Sequence, residues 1–324
     1  VGLIGYACSY IPVEILSATG AKPYRLLHGD MKLAQDGERL VRVDACPLVK
    51  SNISYFLEHR DEFRCLVGAS GCDMARRMFD VLSDQIDIPI LVMNNPRTDK
   101  FTIFNEEVDW LIRELENIFQ IKITPEAIGR EIEKWEAARR HYRVLDEKRA
   151  ARPSLITTTD FHKAVINYHK GDIDFPPFVP EKTSENHRVY LLGSALPYEA
   201  NPVLAQFEER LRIVGDFNCG ISRFLNVKPE EPTLSGLKKA YCGQPPCIVK
   251  RPNRLFYEYV GRRLKELQCK GIIAWTLDYC DSFEFELKRI ESRFDLPVLR
   301  IRSDLSRSNL GQLKTRIEAF AEML

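Results

Sequence analysis

The chain has 324 residues, with 47 Lys+Arg against 46 Asp+Glu and a formal net charge of +1. At roughly 100–200 residues per domain this length predicts two domains, each able to bury its own core. A content of 44% hydrophobic and 29% charged residues excludes disordered, collagen-like and coiled-coil classes, the balanced charge argues against a large nucleic-acid footprint, and no run approaches the 18 apolar residues of a membrane span.

The opening VGLIGYACSYIPVEIL is apolar but has neither a basic start nor a small-residue cleavage site. It is expected to be a strand entered almost at once rather than a signal peptide. Within 1–104, Val1–Tyr6, Lys22–Leu27, Arg64–Ala69 and Ile88–Met93 read as buried strands: short apolar runs bounded by Gly, Pro, Asp or Ser. Helical stretches such as Met74–Ser83 lie between them. The segment 105–185 is different. Trp110, Leu111, Leu115, Ile118 and Phe119 form one helical stripe, and Thr124-Pro125-Glu126 combines an N-cap, a first-turn Pro and an early acid. Ile128, Ile132, Trp135, Tyr142 and Leu145 continue the stripe, so a helical connector is expected, closing at a Pro-rich loop, Phe175–Pro180. The segment 186–324 returns to strands near Val189–Gly193, Arg212–Gly215, Ile272–Leu277 and Val298–Ile301, with a last helix over Gln312–Leu324. Strands alternating with helices give an α/β fold with two parallel sheets and a helical insert between them.

The outer segments repeat one another. Cys72-Asp73 is followed 17 residues after the cysteine by Pro89, and Cys280-Asp281 by Pro297 at the same distance. Cys46-Pro47-Leu48-Val49-Lys50 resembles Cys247-Ile248-Val249-Lys250, each read as opening a helix. Gly5-Tyr6-Ala7-Cys8 and Gly215-Asp216-Phe217-Asn218-Cys219 each close a strand. Three cysteine positions recur in order.

Nine cysteines are too sparse for a disulfide scaffold, and their number is odd. With no secretory signal the expected compartment is a reducing cytoplasm, where grouped cysteines bind metal or do redox chemistry. Residues just beyond the carboxyl ends of parallel strands line the ligand crevice of an open α/β sheet, and a thiolate at a helix N-terminus is favoured by the dipole. Cys8, Cys46, Cys72, Cys219, Cys247 and Cys280 are therefore the candidate metal ligands, with Cys242 as a substitute for Cys247. Cys65 and Cys269 have no counterpart in the repeat and read as small buried hydrophobes. Zinc fits poorly, because no C-x2-C pair occurs. A cubane [4Fe-4S] cluster usually takes four thiolates, so three per half leave one iron open on each of two cubanes. Two such cubanes facing each other would be completed by one shared sulfide. No phosphate-binding glycine loop is present, so any nucleotide-driven step needs a partner. Glu14, one or two turns after Cys8, is a weak candidate proton donor and more simply a first-turn carboxylate. His162 and His169 are expected on a solvated helix face, and Asp73 and Asp281 as helix caps.

The segments Cys8-Ser9-Tyr10-Ile11-Pro12-Val13-Glu14, Cys46-Pro47-Leu48-Val49-Lys50, Cys72-Asp73-Met74-Ala75-Arg76-Arg77 and Gly311-Gln312-Leu313-Lys314-Thr315-Arg316-Ile317-Glu318-Ala319-Phe320 resemble the 2-hydroxyacyl-CoA dehydratase D-component and benzoyl-CoA reductase family over essentially the whole chain. That resemblance implies two Rossmann-like domains, an iron–sulfur cluster between them, and low-potential electrons from a separate ATP-hydrolysing iron–sulfur activator. The six-cysteine repeat looks like the double-cubane branch of the family, which implies an oxygen-sensitive homodimeric reductase of small molecules carrying an [8Fe-9S] cluster. The alternatives are one [4Fe-4S] subunit of a 2-hydroxyacyl-CoA dehydratase, needing only Cys8, Cys46 and Cys72, and a non-enzymatic electron-storage protein.

Overall fold

The computed structural model describes residues 2–98, 101–173, 186–306 and 310–324. Val1 and the expected loop Phe175–Pro180, with the insert's expected end at 185, lie outside the described residues.

The first sheet is built from β1 (Leu3–Tyr6), β2 (Lys22–Arg25), β3 (Phe63–Ala69) and β4 (Ile90–Met93) in the order β2-β1-β3-β4, all parallel. Short helices α1 (Val13–Ser17) and α2 (Met31–Gly37) and the longer α3 (Pro47–His59) and α4 (Asp73–Ser83) make the crossovers. The second sheet, β5 (His187–Gly193), β6 (Leu211–Asp216), β7 (Gly271–Leu277) and β8 (Val298–Ser303), has the order β6-β5-β7-β8 and is again wholly parallel. Position for position the two sheets have one topology, so the repeat in the cysteine contexts is also a repeat of architecture. Strands buried on both faces read as continuous apolar runs. Accordingly Ile4, Cys65, Leu66, Val67, Val189, Leu191, Ile272 and Ile273 are all fully buried.

The insert holds α5 (Phe101–Phe119), α6 (Pro125–Ala150) and α7 (Thr158–His169). Helix α6 starts where the sequence places it: the Thr124 hydroxyl accepts from the Ala127 N–H and Pro125 occupies the first turn. Its inward side chains, Ile128, Ile132, Trp135, Tyr142 and Leu145, join one apolar core that runs from the first sheet through the insert to the second. Against sequence expectation, His162 and His169 are buried, at 0% and 1% exposure. The Nδ1 of His162 lies 2.9 Å from Asn201 Oδ1, and the His169 ring meets the Phe224 ring edge-on. Covering by residues far along the chain is invisible to local periodicity.

Burial holds both imidazoles below the ordinary 6.5, His169 also feeling Arg25 and His162, and His162 being partly held up by Asn201, Asp216 and Glu199. The unfolded chain therefore binds more protons below about pH 6.5. The stabilisation is complete above that pH and declines as pH falls below it. A urea midpoint lower at pH 5.5 than at pH 7.5 is the expected result, and equal midpoints would contradict it.

Candidate functional site

The carboxyl ends of both sheets open onto one cavity of about 190 Å³, and its wall includes Cys8, Cys46, Cys72, Cys219, Cys247 and Cys280. Cys8 follows β1, Cys72 follows β3 and heads α4, Cys46 heads α3, and Cys280 follows β7 and heads the short α11 (Asp281–Glu284). The thiols meet across the two halves: Cys8 feels the charges of Cys219 and Cys247, while Cys46 and Cys72 both feel Cys280. Cys242 lines a neighbouring cavity, and Cys65 and Cys269 are buried in the core. Among the described residues no three His, Cys, Asp or Glu side chains converge on a point suited to one ion. The thiols stand around a space.

Three expectations change. Cys247 does not open a helix: it lies in a turn after Pro245-Pro246, and α10 (Arg254–Glu266), which follows α8 (Asn201–Glu208) and α9 (Leu234–Gly243), begins only beyond Pro252. The residue before a proline is pushed out of the helical region, and Arg251 is such a residue. Secondly, Cys219 is not the counterpart of Cys8. Cys219 follows β6, which corresponds to β2, whereas the segment that follows β5, the counterpart of β1, begins Ser194-Ala195-Leu196 and brings no cysteine. Two cysteine pairs are equivalent by topology, and the third was recruited from an edge strand. Thirdly, Asp73 and Asp281 are first-turn residues without a capping role; the caps are Cys72 and Cys280, and Asp73 pairs with Arg97 at 3.0 Å.

The loop that brings Cys219 inward is specified by buried polar groups. Asp216 Oδ1 accepts from the N–H groups of Asn218 and Ser222 at 2.9 and 3.1 Å and from the Ser222 hydroxyl at 2.8 Å. Asn218, fully buried, accepts from Leu196 N–H and Gly220 N–H and donates to Ser194 O at 2.7 Å. Glycine is required at two places here. A Cβ on Gly193, at φ +138°, would fall 1.6 Å from Trp275 O, and one on Gly220 would fall 2.0 Å from Leu196 O.

Burial dominates the thiols. It raises Cys8 and Cys46 to about 12, the neighbouring thiols adding to it, and Cys72, although an exposed residue, is also held above the ordinary thiol value by the protein around its sulfur. Backbone N–H groups of Tyr10 at Cys8, of Val49 and Leu48 at Cys46, and of Ala75 and Met74 at Cys72 pull the other way. Cys280 is likewise raised by burial and opposed by the Ser194 hydroxyl and Phe283 N–H. The helix-terminus effect expected from sequence is therefore present but outweighed. Those donors would stabilise thiolates once a cationic metal group offsets the burial cost.

Two buried cations on the wall went unnoticed in the sequence. Arg25 is 2% and Arg223 1% exposed. Arg25 Nη1 donates to Cys219 O at 2.6 Å; Arg223 donates to Ser9 Oγ, Tyr10 Oη and Pro245 O at 3.1, 2.9 and 2.8 Å. Arg25 Nε, Arg223 Nη1 and Asn95 Nδ2 are buried donors with no protein acceptor. Among the described residues no carboxylate lines the cavity. Unpaired buried donors on cations are costly, so the wall is matched to an anionic, acceptor-rich occupant, which a thiolate-bound iron–sulfur cluster is. Arg25 was legible as a cation inside the strand run Lys22-Pro23-Tyr24-Arg25-Leu26-Leu27. Glu14 is not on this wall: it is fully buried, ion-paired to Arg139 at 2.6 Å and accepting from Tyr241 Oη at 2.9 Å.

Compared with known proteins, residues 8–324 match the family model described as 2-hydroxyglutaryl-CoA dehydratase, D-component, and the chain belongs to that family. It is 22% identical to the YjiM protein of Escherichia coli (strain K12) over 99% of this chain and 91% of that one. It is 23% identical to the (R)-phenyllactyl-CoA dehydratase beta subunit of Clostridium sporogenes, over 99% and 91%. Identity to the lactoyl-CoA dehydratase subunit beta of Anaerotignum propionicum is 22%, over 100% and 92%. These relationships make the chain a 2-hydroxyacyl-CoA dehydratase-type component. No described helix is long and apolar enough to cross a membrane.

Proposed function

We propose that this chain is the cluster-holding subunit of a 2-hydroxyacyl-CoA dehydratase, working in a reducing cytoplasm with a second, different subunit and a separate ATP-hydrolysing iron–sulfur activator. The observation that carries the reading is the thiol-walled cavity at the carboxyl ends of both sheets, whose described residues include two buried cations and no carboxylate. Cys8, Cys46 and Cys72 would hold a [4Fe-4S] cluster, leaving one iron for a substrate oxygen. When bound, the cluster supplies low-potential one-electron chemistry. The chain's own groups do the rest: backbone N–H donors orient the three sulfurs, and the apolar wall of Leu48, Val49, Met78 and Leu277 excludes water.

A neighbouring cavity of about 580 Å³ also includes Tyr10 and, among the described residues, carries Lys239, Lys250, Arg251 and Arg262 with Glu258. That charge suits the phosphates of a CoA thioester. Calorimetric titration of the anaerobic protein with CoA is expected to show binding that weakens at least tenfold in Lys239→Glu/Arg262→Glu. Equal affinity in the variant, or no binding to the parent chain, would count against a thioester substrate.

A second reading is favoured by Cys219, Cys247 and Cys280 sharing the same wall. In it both halves contribute three thiolates to a bridged [8Fe-9S] double cubane, and the protein is a homodimeric activator-dependent reductase of small molecules.

A further inference from the structure

We propose that Arg25 and Arg223 are positioning residues that set the reduction potential of the iron–sulfur group, holding fixed positive charge beside the Cys8, Cys219 and Cys247 side of the cavity. The inference rests on the reading above that the cavity holds such a group, and it is independent of whether one cubane or two are present.

Three features single these arginines out. Both are buried, so their charge is screened by little water and acts at low effective dielectric. Among the described residues neither has a carboxylate among its hydrogen-bond partners: the acceptors are the neutral carbonyls of Cys219 and Pro245 and the hydroxyls of Ser9 and Tyr10. Each also keeps one donor, Arg25 Nε and Arg223 Nη1, without a protein acceptor. The Arg139–Glu14 and Arg149–Asp216 pairs show what the fold does with a structural buried arginine: it supplies a carboxylate, at 2.6 and 2.7 Å. Among the described residues neither Arg25 nor Arg223 has a carboxylate partner; Arg223 lies 5.1 and 4.6 Å from the ring centroids of Tyr10 and Phe217, and both arginines share the cavity wall with the thiols.

The cations are also confined to one side. Arg223 is anchored to Ser9 and Tyr10, beside Cys8, and Arg25 to the carbonyl of Cys219. On the other side Cys72 and Cys280 feel the carboxylates of Asp73, Asp281 and Glu284 instead. Reduction adds one electron, and so one negative charge, to a group already anionic. A fixed cation favours the reduced state over the oxidised one, and removing it shifts the equilibrium toward the oxidised form.

The test is a redox titration followed by electron paramagnetic resonance, with titanium(III) citrate as the electron donor, on anaerobically purified parent chain, Arg223→Met, Arg223→Lys, Arg25→Met and Arg25→Lys, each assayed for iron and sulfide. The Met variants are expected to keep their iron and to show a one-electron equilibrium at least tenfold poorer, a potential lower by 59 mV. The Lys variants are expected to recover most of that shift. A loaded cluster with an unchanged potential in both Met variants overturns the inference alone. So does loss of iron in all four variants of a parent that is loaded, since the arginines would then serve assembly. A parent chain without iron overturns the proposed function and this inference together.

Discussion

Cys46→Ala, purified without oxygen, is expected to retain less than a tenth of the parent's iron and sulfide. Cys46 stands at the N-terminus of α3 as a buried thiol, within reach of both Cys72 and Cys280, with Val49 and Leu48 N–H groups aimed at its sulfur. It belongs to the ligand set in both readings of the cavity. Alanine there removes one of three thiolates from a cubane and leaves two irons' worth of open coordination in a site otherwise walled by apolar groups. Cys280→Ala separates the readings. A dehydratase-type cubane on Cys8, Cys46 and Cys72 survives it with its iron unchanged, whereas a bridged cluster drawing on both sheets is lost as completely as in Cys46→Ala. Iron analysis of the two variants beside the parent decides this, and a Cys46→Ala chain with full iron would sink both.

Arg149→Met is expected to destabilise the protein by about 3–5 kcal/mol, the range for removing one partner of a buried ion pair. Arg149 is fully buried at the end of α6, bonded to Asp146 and paired with Asp216 at 2.7 Å. Without it, Asp216 is left charged and buried while its other oxygen still organises the turn that carries Cys219. The helical insert thus holds a ligand loop in place as well as packing the core. Urea denaturation should show the loss, and Arg149→Met/Asp216→Asn should recover part of it, because the uncompensated charge is gone. A single variant as stable as the parent would show that the pair carries no such weight.

Much of this was readable in the chain because its carriers are local. Eight short apolar runs bounded by Gly, Pro, Asp or Ser correspond to eight strands, and Thr124-Pro125 marks the start of α6 to the residue. The Cys-Asp contexts with their trailing prolines, Pro89 and Pro297, exposed the repeat, since both prolines precede the last strand of their sheet. What escaped depends on where strands lie in a sheet and on what covers them. The match of Cys8 with Cys219 is a likeness of strand ends; only sheet order reveals that β6 answers to β2 and that β5, the counterpart of β1, is followed by no cysteine of its own. The burial of His162 and His169 comes from α8 and from Phe224, dozens of residues away. The thiol pKa values follow burial, which outweighs the helix termini that spacing does reveal.

The most direct measurement is iron and acid-labile sulfide per polypeptide on protein purified without oxygen. The account predicts about four of each, one cubane. About eight irons, two cubanes, would replace the dehydratase reading by the bridged one while keeping the cavity as the site. A chain free of iron and sulfide, with its cysteines reacting as ordinary thiols once unfolded, would contradict the claim that this cavity holds an iron–sulfur cluster.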